Sequence, residues 1–338
     1  MLRIIGLIAF AGTAALATTL TASGTFAQSA DPNSAPNPYR LQEAWPHYPE
    51  GRKPGAAIKV QVDHRDGKSV FVFDRCGAND CSASDLPPIL KFDADGKFVT
   101  AFGAKLFNQP HGLYVDREGN VYAADQTAKN GKGAVVVKFN AKGDVVMTLG
   151  KAGVTGNGPD LLSQPSAVVV APNGDIFVAD GHGEKSNDRI VRFSKDGKFL
   201  AAWSRHGNGP GEIDTPHGLA LDSAGRIYIA DRVNDRIDIF ENDGKYVTSW
   251  TQFGRPSDVA IDKNDTIYVA DSQSGERANP SFKQGIRIGS VKDGKVTAFI
   301  PAPSAEAGGP ESVGVDDAGN VYGGWTGKVP GARRYVKN

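Results

Sequence analysis

The sequence predicts an all-β fold, a six-bladed β-propeller whose ring is closed by an N-terminal strand joining the last blade. Three observations carry that prediction. A unit of seventeen residues recurs five times, a four-strand pattern repeats at a period of roughly 40 to 55 residues, and the last repeat lacks a strand that the N-terminal segment can supply.

In chain order, the first element is a targeting segment. Arg3, the apolar run Ile4 to Leu16 and then Thr25-Phe26-Ala27 have the charged, apolar and small-residue order of a secretory signal peptide over residues 1–27. A retained membrane anchor is the alternative, weakened by the Thr, Ser and Gly content after Ala17. Cleavage would give a secreted or periplasmic chain with no membrane insertion, and no cysteine lies near Ala27 to carry a lipid anchor. Residues 28–39 read as a flexible leader, with DPNSAPNPY from Asp31. Residues 40–338 then form one propeller domain.

The first blade is a degenerate copy. Ile58 to Asp63 and Val70 to Asp74 flank the turn His64-Arg65-Asp66-Gly67, followed by Ile89 to Phe92 and Phe98 to Phe102. The five clear units are QPHGLYVDREGNVYAAD from Gln109, QPSAVVVAPNGDIFVAD from Gln164, TPHGLALDSAGRIYIAD from Thr215, RPSDVAIDKNDTIYVAD from Arg255 and GPESVGVDDAGNVYGGW from Gly309. Each reads as a strand, a tight Asp/Asn/Gly turn and a second strand rich in Ile, Val and Tyr. A third apolar run and a turn such as Lys195-Asp196-Gly197 or Asn242-Asp243-Gly244 lead to a last strand ending in Trp203 or Trp250. The sixth blade has only three strands, the third being Arg333 to Val336, so Arg40 to Trp45 is expected to pair with it and remove an exposed edge.

Composition narrows the partners. Lys plus Arg equals Asp plus Glu at 38 each, and no basic block could track phosphates, which argues against nucleic acid. Cys76 and Cys81 are the only cysteines and lie in one loop, so a local disulfide is expected; a metal pair would need further ligands nearby.

Aligned blades map the central funnel, and differences between them mark the chemistry. The third position of each unit reads Ile58, His111, Ser166, His217, Ser257 and Glu311. His111, His217 and Glu311 thus fall on alternate blades and should converge on the axis, a set that suits zinc, with iron as the other candidate. The alternative is a polar lining of a water-filled pore, with two histidines inherited by duplication. The residue after each repeated Asp reads Arg75, Gln126, Gly181, Arg232, Ser272 and Thr326. Arg75 and Arg232 face each other across six blades and could clamp a carboxylate or stabilise an oxyanion. Paired with Asp80 or Asp235, they would instead be ordinary surface arginines. Asp74, Asp125, Asp180, Asp231 and Asp271 repeat in five blades and read as structural acceptors of loop N–H groups. His182, in Asp180-Gly181-His182-Gly183, could serve as a general base if its loop folds inward, or stay a solvated loop histidine. His47, His64 and His206 receive no role.

The motif Pro-His-Gly-Leu-x-x-Asp-x-x-Gly, followed by an apolar strand and Asp, resembles the NHL repeat over essentially the whole mature chain. Within that superfamily the chain is similar to the peptidyl-α-hydroxyglycine α-amidating lyases, six-bladed propellers that split a carbinolamide into a peptide amide and glyoxylate. The resemblance implies a zinc site at His111, His217 and Glu311, where the family has three histidines in Pro-His contexts. It also implies funnel arginines at Arg75, in Phe73-Asp74-Arg75, and Arg232, in Ala230-Asp231-Arg232, and a base at His182, where the family has tyrosine. Glutamate for histidine makes the site more anionic, and histidine for tyrosine lowers the pKa of the base by several units. Ser312 stands where the family has an aspartate for a structural calcium, which speaks against that ion.

These readings give a metal-dependent lyase or hydrolase acting on a small-molecule or peptide substrate that bears a carboxylate. The rival is a non-catalytic binding module that meets a protein or glycan partner through the loops Gly183 to Asp188 and Ser274 to Gln284. A lactonase-like funnel fits less well, because Glu311 is the single acid in the third-position ring.

Overall fold

The structure, a computed structural model, describes residues 31, 33–183 and 186–338. The expected signal segment, residues 1–27, lies outside the described residues. Among the described residues there are twenty-four strands in six four-stranded antiparallel sheets, and no α-helix. In five of the sheets the strands follow chain order from the axis outward, and the innermost strands of all six touch one another in a closed cycle from blade one round to blade six.

The innermost strands are Ala57–Val62, Pro110–Val115, Pro165–Val170, Pro216–Leu221, Pro256–Ile261 and Ser312–Val315. Second strands such as Val121–Asp125 and Ile227–Asp231 are buried at every residue, because both faces meet a neighbouring blade. Fourth strands such as Phe199–Trp203 alternate between half-buried and exposed positions, as a rim strand should. Apolar wedges fill the space between blades. Phe73, Phe107 and Phe139 form one such wedge between blades one and two, with Phe73 and Phe107 edge to face at 5.2 Å.

Ring closure follows the expectation. Tyr39–Gln42 pairs antiparallel with Gly331–Lys337, so the last sheet takes its outer strand from the start of the domain. That strand is shorter than the Arg40 to Trp45 expected. Trp45 lies beyond it, unlike Trp203 and Trp250, and is buried against Tyr322 of blade six at 4.9 Å and Phe92 of blade one at 6.4 Å. The described part of the leader lies along blade five: Asn33 Oδ1 accepts from Lys283 N and Arg287 Nη2, and Phe299 N donates to Pro36 O. Cys76 and Cys81 form a disulfide across 5.3 Å between Cα atoms.

Candidate active site in the propeller funnel

Backbone geometry at the third position aims the site. In blades one to five the pairing of the inner with the second strand slips at this residue, so Ile58, His111, Ser166, His217 and Ser257 each sit at a β-bulge. A bulge re-aims the side chain it carries, here toward the axis. The glycine after each histidine lets the next inner strand close in. A Cβ on Gly112 would meet Ala167 Cα and Ser166 O at 2.6 Å, and one on Gly218 would meet Asp258 Oδ1 at 2.6 Å. Close approach then supplies each imidazole with a partner. His111 Nδ1 lies 2.7 Å from Ser166 O, and His217 Nδ1 lies 2.5 Å from Ser257 O.

A carbonyl can only accept, so both Nδ1 atoms carry the proton and both Nε2 atoms present a lone pair. Those Nε2 atoms are buried without a hydrogen-bond partner. Tethered Nδ1–H and free Nε2 is the arrangement in which histidine ligates a metal. The two rings are 4.5 Å apart, centroid to centroid.

His182 completes the cluster, with its ring 4.6 Å from that of His111 and 4.8 Å from that of His217. One ligand nitrogen from each of these three lies within 4.8 Å of the others, so they are a set that could hold a metal ion. Gly181 permits this turn inward: a Cβ there would fall 2.5 Å from Asp188 Oδ1. His182 Nδ1 is 2.8 Å from the Gln126 amide and its Nε2 is 3.3 Å from Arg232 Nη2. Gln126 Nε2 also donates to Gln164 Oε1 at 3.3 Å, so it is the amide N–H that faces His182 Nδ1. The solvated-loop alternative for His182 is thereby set aside.

Glu311 stands beside this set. Its Oε1 is 3.1 Å from His217 Nε2, outside hydrogen-bond alignment, and 3.1 Å from Arg232 Nη1, while Oε2 accepts from Ser272 Oγ at 2.7 Å. The expectation of one threefold set from His111, His217 and Glu311 therefore meets a different arrangement: the carboxylate is drawn toward Arg232 and Ser272, and the third imidazole is His182.

Arg75 and Arg232 are both buried, which removes the surface-arginine alternative. Arg75 donates from Nε to Pro110 O at 3.0 Å and from Nη1 to Asn79 Oδ1 at 2.9 Å, next to His111. Burial lowers its pKa to about 10, against the pull of Glu311. Burial also lowers Arg232, again opposed by Glu311. The three imidazoles are held below their ordinary pKa: His111 by burial and then by His217, His182 by burial and then by His217, and His217 by burial and then by Arg232. For Glu311, burial would raise the pKa, but His217, Arg232 and Ser272 outweigh it and the carboxyl is held well below its usual range. Burial thus disfavours charge on the three imidazoles, while Arg232 and Ser272 favour it on Glu311.

All six residues singled out from the sequence come together. Gln126 and Ser272, which had no role assigned, turn out to orient His182 and Glu311. Their positions in the ring after the repeated Asp were the available signal. The repeated aspartates are structural, as expected: Asp125, for example, is fully buried and accepts from Asn108 N and Gln109 N.

A family model for the NHL repeat matches residues 214–240, the core of blade four. The chain is 34% identical over 199 residues to human NHL repeat-containing protein 3, covering 57% of this chain and 54% of that protein. It is 36% identical over 197 residues to a Caenorhabditis elegans protein named as a probable peptidyl-alpha-hydroxyglycine alpha-amidating lyase, covering 54% of this chain and 53% of that protein. The chain therefore spans about half the length of these relatives. Among solved structures, a gluconolactonase from Xanthomonas campestris superposes with a TM-score of 0.60 at 15% identity, over 89% of this chain and 90% of that one, a likeness of fold alone. The chain is a six-bladed β-propeller carrying an NHL repeat, and over about half its length it is similar to proteins named as amidating lyases.

Proposed function

We propose that the protein is an exported, metal-dependent carbon–nitrogen lyase that cleaves a carbinolamide or related small carboxylate-bearing substrate in the funnel. The observation that carries this reading is the pair of buried Nε2 atoms on His111 and His217, each left without a partner while Nδ1 is tied to a carbonyl. Leaving such atoms unpaired costs about 1–3 kcal/mol each, a cost that a bound cation removes. Nitrogen donors from His111, His217 and His182, with Glu311 alongside, suit zinc and after it iron. Bound there, the ion would supply a Lewis acid that lowers the pKa of a substrate hydroxyl or a water.

The chain's own residues carry the rest. Arg75, whose guanidinium is anchored beside His111, binds the substrate carboxylate, and Arg232 keeps Glu311 ionised. Cleavage of a carbinolamide moves the hydroxyl proton to a base, breaks the bond from carbon to nitrogen and returns a proton to the departing amide. Glu311, ionised and beside the cluster, takes the hydroxyl proton, and His182 takes it if Glu311 is itself a ligand. Export rests on the signal-like N-terminus and fits the Cys76–Cys81 disulfide.

Elemental analysis of purified protein, followed by an assay for glyoxylate release from an α-hydroxyglycine peptide with and without chelator, tests the reading. One bound metal per chain and chelator-sensitive release are expected. Protein without stoichiometric metal would remove the proposal and leave the binding-module reading.

A further inference from the structure

Blade six departs from the rule that ties loops to strands in the other five. In each of those the repeated Asp accepts N–H groups from residues that lead into the inner strand: Gly55 for Asp74, Asn108 and Gln109 for Asp125, Ser163 and Gln164 for Asp180, Asp214 for Asp231, and Arg255 for Asp271. Trp325 stands at that position in blade six, fully buried. An indole can only donate, and Trp325 Nε1 gives its proton to Gly308 O at 2.9 Å. Gly308 N and Gly309 N are taken up elsewhere, by Ser304 O at 3.0 Å and Gln284 Oε1 at 2.7 Å. The loop into the last inner strand is therefore held by its own turn and by the blade-five loop, with no carboxylate to draw it onto the second strand.

A cleft of about 370 Å3 remains between that loop, which contributes Ala305 and Gly309, and the loop after Trp325, which contributes Thr326 and Gly327. Its volume lies within the range of small-ligand sites, about 300–1,000 Å3. Ser272 and Glu311 also line it, and Glu311 lines the funnel together with His111 and His217, so the two spaces share one residue. Around the wheel the order is Arg75 on blade one, Glu311 on blade six, and then the cleft on the side of blade five. A substrate whose carboxylate rests on Arg75 and whose reacting carbon meets the cluster beside Glu311 has this cleft as its continuation. Glycine and alanine walls leave room for a chain to approach the backbone. Thr326 supplies a hydroxyl, and Gln273, whose Oε1 accepts from Arg255 Nε at 3.1 Å, keeps amide N–H groups to donate. Small walls with polar groups between them suit main-chain amides better than a bulky apolar group.

We propose that this cleft between blades five and six is the subsite for the acyl arm of the substrate, the peptide residues that precede the hydroxyglycine, held through their main-chain amides. The inference rests on the lyase reading for the identity of the arm, and it adds that the substrate is a peptide rather than a single acylated unit.

Binding is measured by calorimetry on the purified chain with two ligands that carry glycine in place of hydroxyglycine, and so have no hydroxyl proton to lose: N-acetylglycine and the acetylated tripeptide alanyl-alanyl-glycine. The tripeptide should bind about 10-fold tighter or more, the gain from two further hydrogen-bonded amides. Gly327→Phe should remove most of that advantage. Gly327 is exposed, its φ is not left-handed, and a Cβ there meets only Ala307 O at 3.5 Å, so the ring is introduced without backbone strain. Ala305→Phe fills the cleft from the other loop and should do the same. Equal affinity of the two ligands for wild-type protein, or an advantage kept by both variants, overturns the proposal. Loss of the advantage in the variants, without glyoxylate release from hydroxyglycine peptides by wild type, would keep the cleft as a peptide site and remove the lyase. Glyoxylate release with equal affinities would do the reverse.

Discussion

Two rings of buried polar residues lie at the same end of the wheel and obey opposite rules. The repeated aspartates are saturated. Asp180 accepts from Ser163 N, Gln164 N, Asn187 Nδ2 and Arg189 Nε, and Asp271 from Arg255 N, Ser274 N and Arg287 Nη1. His111 and His217 are equally buried, yet each keeps one nitrogen unpaired. Burial therefore does not separate structural from functional groups here; satisfaction does. A group repeated in five of the six blades is the one the fold uses to tie loops to strands, and it can be fully bonded because it has no other task. A group present in two blades has a lone pair held in reserve.

The largest effect that sharpens this contrast is on stability. Asp271→Ala leaves the fully buried Arg287 without its carboxylate and removes the acceptor of three backbone N–H groups, those of Arg255, Gln273 and Ser274, so unfolding free energy in denaturant should fall by about 3–5 kcal/mol. Metal content per folded chain should not change. His111→Ala should do the reverse, abolishing metal binding while costing the metal-free protein only about 1–2 kcal/mol. Equal destabilisation by the two variants, or metal retained by His111→Ala, would erase the distinction between the rings.

The contrast also explains what could be read from sequence. Blade number, strand order and the closing strand were legible because each repeat states the same period, and the short sixth repeat leaves a gap of known shape. His111, His217, Glu311, Arg75, Arg232 and His182 were legible because they break the repeat. Their bonding was not. Whether Glu311 points at an ion or at Arg232 depends on a side-chain rotation, and Ser272, which decides it, is one small polar residue among many. The inward turn of His182 hangs on Gly181 meeting Asp188, a contact between residues that no repeat period relates. The bulges at the third position are likewise invisible in a pattern that only counts residues.

A middle-sized effect tests whether the free lone pairs depend on the close strands. Gly112→Ala places a Cβ at 2.6 Å from Ala167 Cα and Ser166 O, so the carbonyl that holds His111 Nδ1–H must shift. Loss of such a support should weaken metal binding about 10–100-fold, with about 1–3 kcal/mol of stability lost to overpacking. Competition titration with a chromogenic chelator reads the affinity. Unchanged affinity in a folded Gly112→Ala protein would mean that the bulged strand ends, and not the glycine, set the imidazoles.

The smallest effect is in the pH dependence, where the two rings pull in opposite directions. Asp125 has its pKa pushed up to about 6 by burial, against the N–H groups of Asn108 and Gln109. Between its unfolded value and 6 the folded state holds more protons than the unfolded one, so this group's contribution to stability falls as pH rises through that window. The imidazoles are lowered, so between their folded values and about 6.5 the unfolded state holds more protons, and their contribution is lost as pH falls. Asp125→Asn removes the first slope and leaves the second. In chelator, its unfolding free energy should therefore rise more steeply from pH 4 to pH 6 than that of wild type, by about 1–2 kcal/mol over the window. Parallel profiles would mean that Asp125 is ionised throughout, held so by its N–H donors, and that burial is not what governs the aspartate ring.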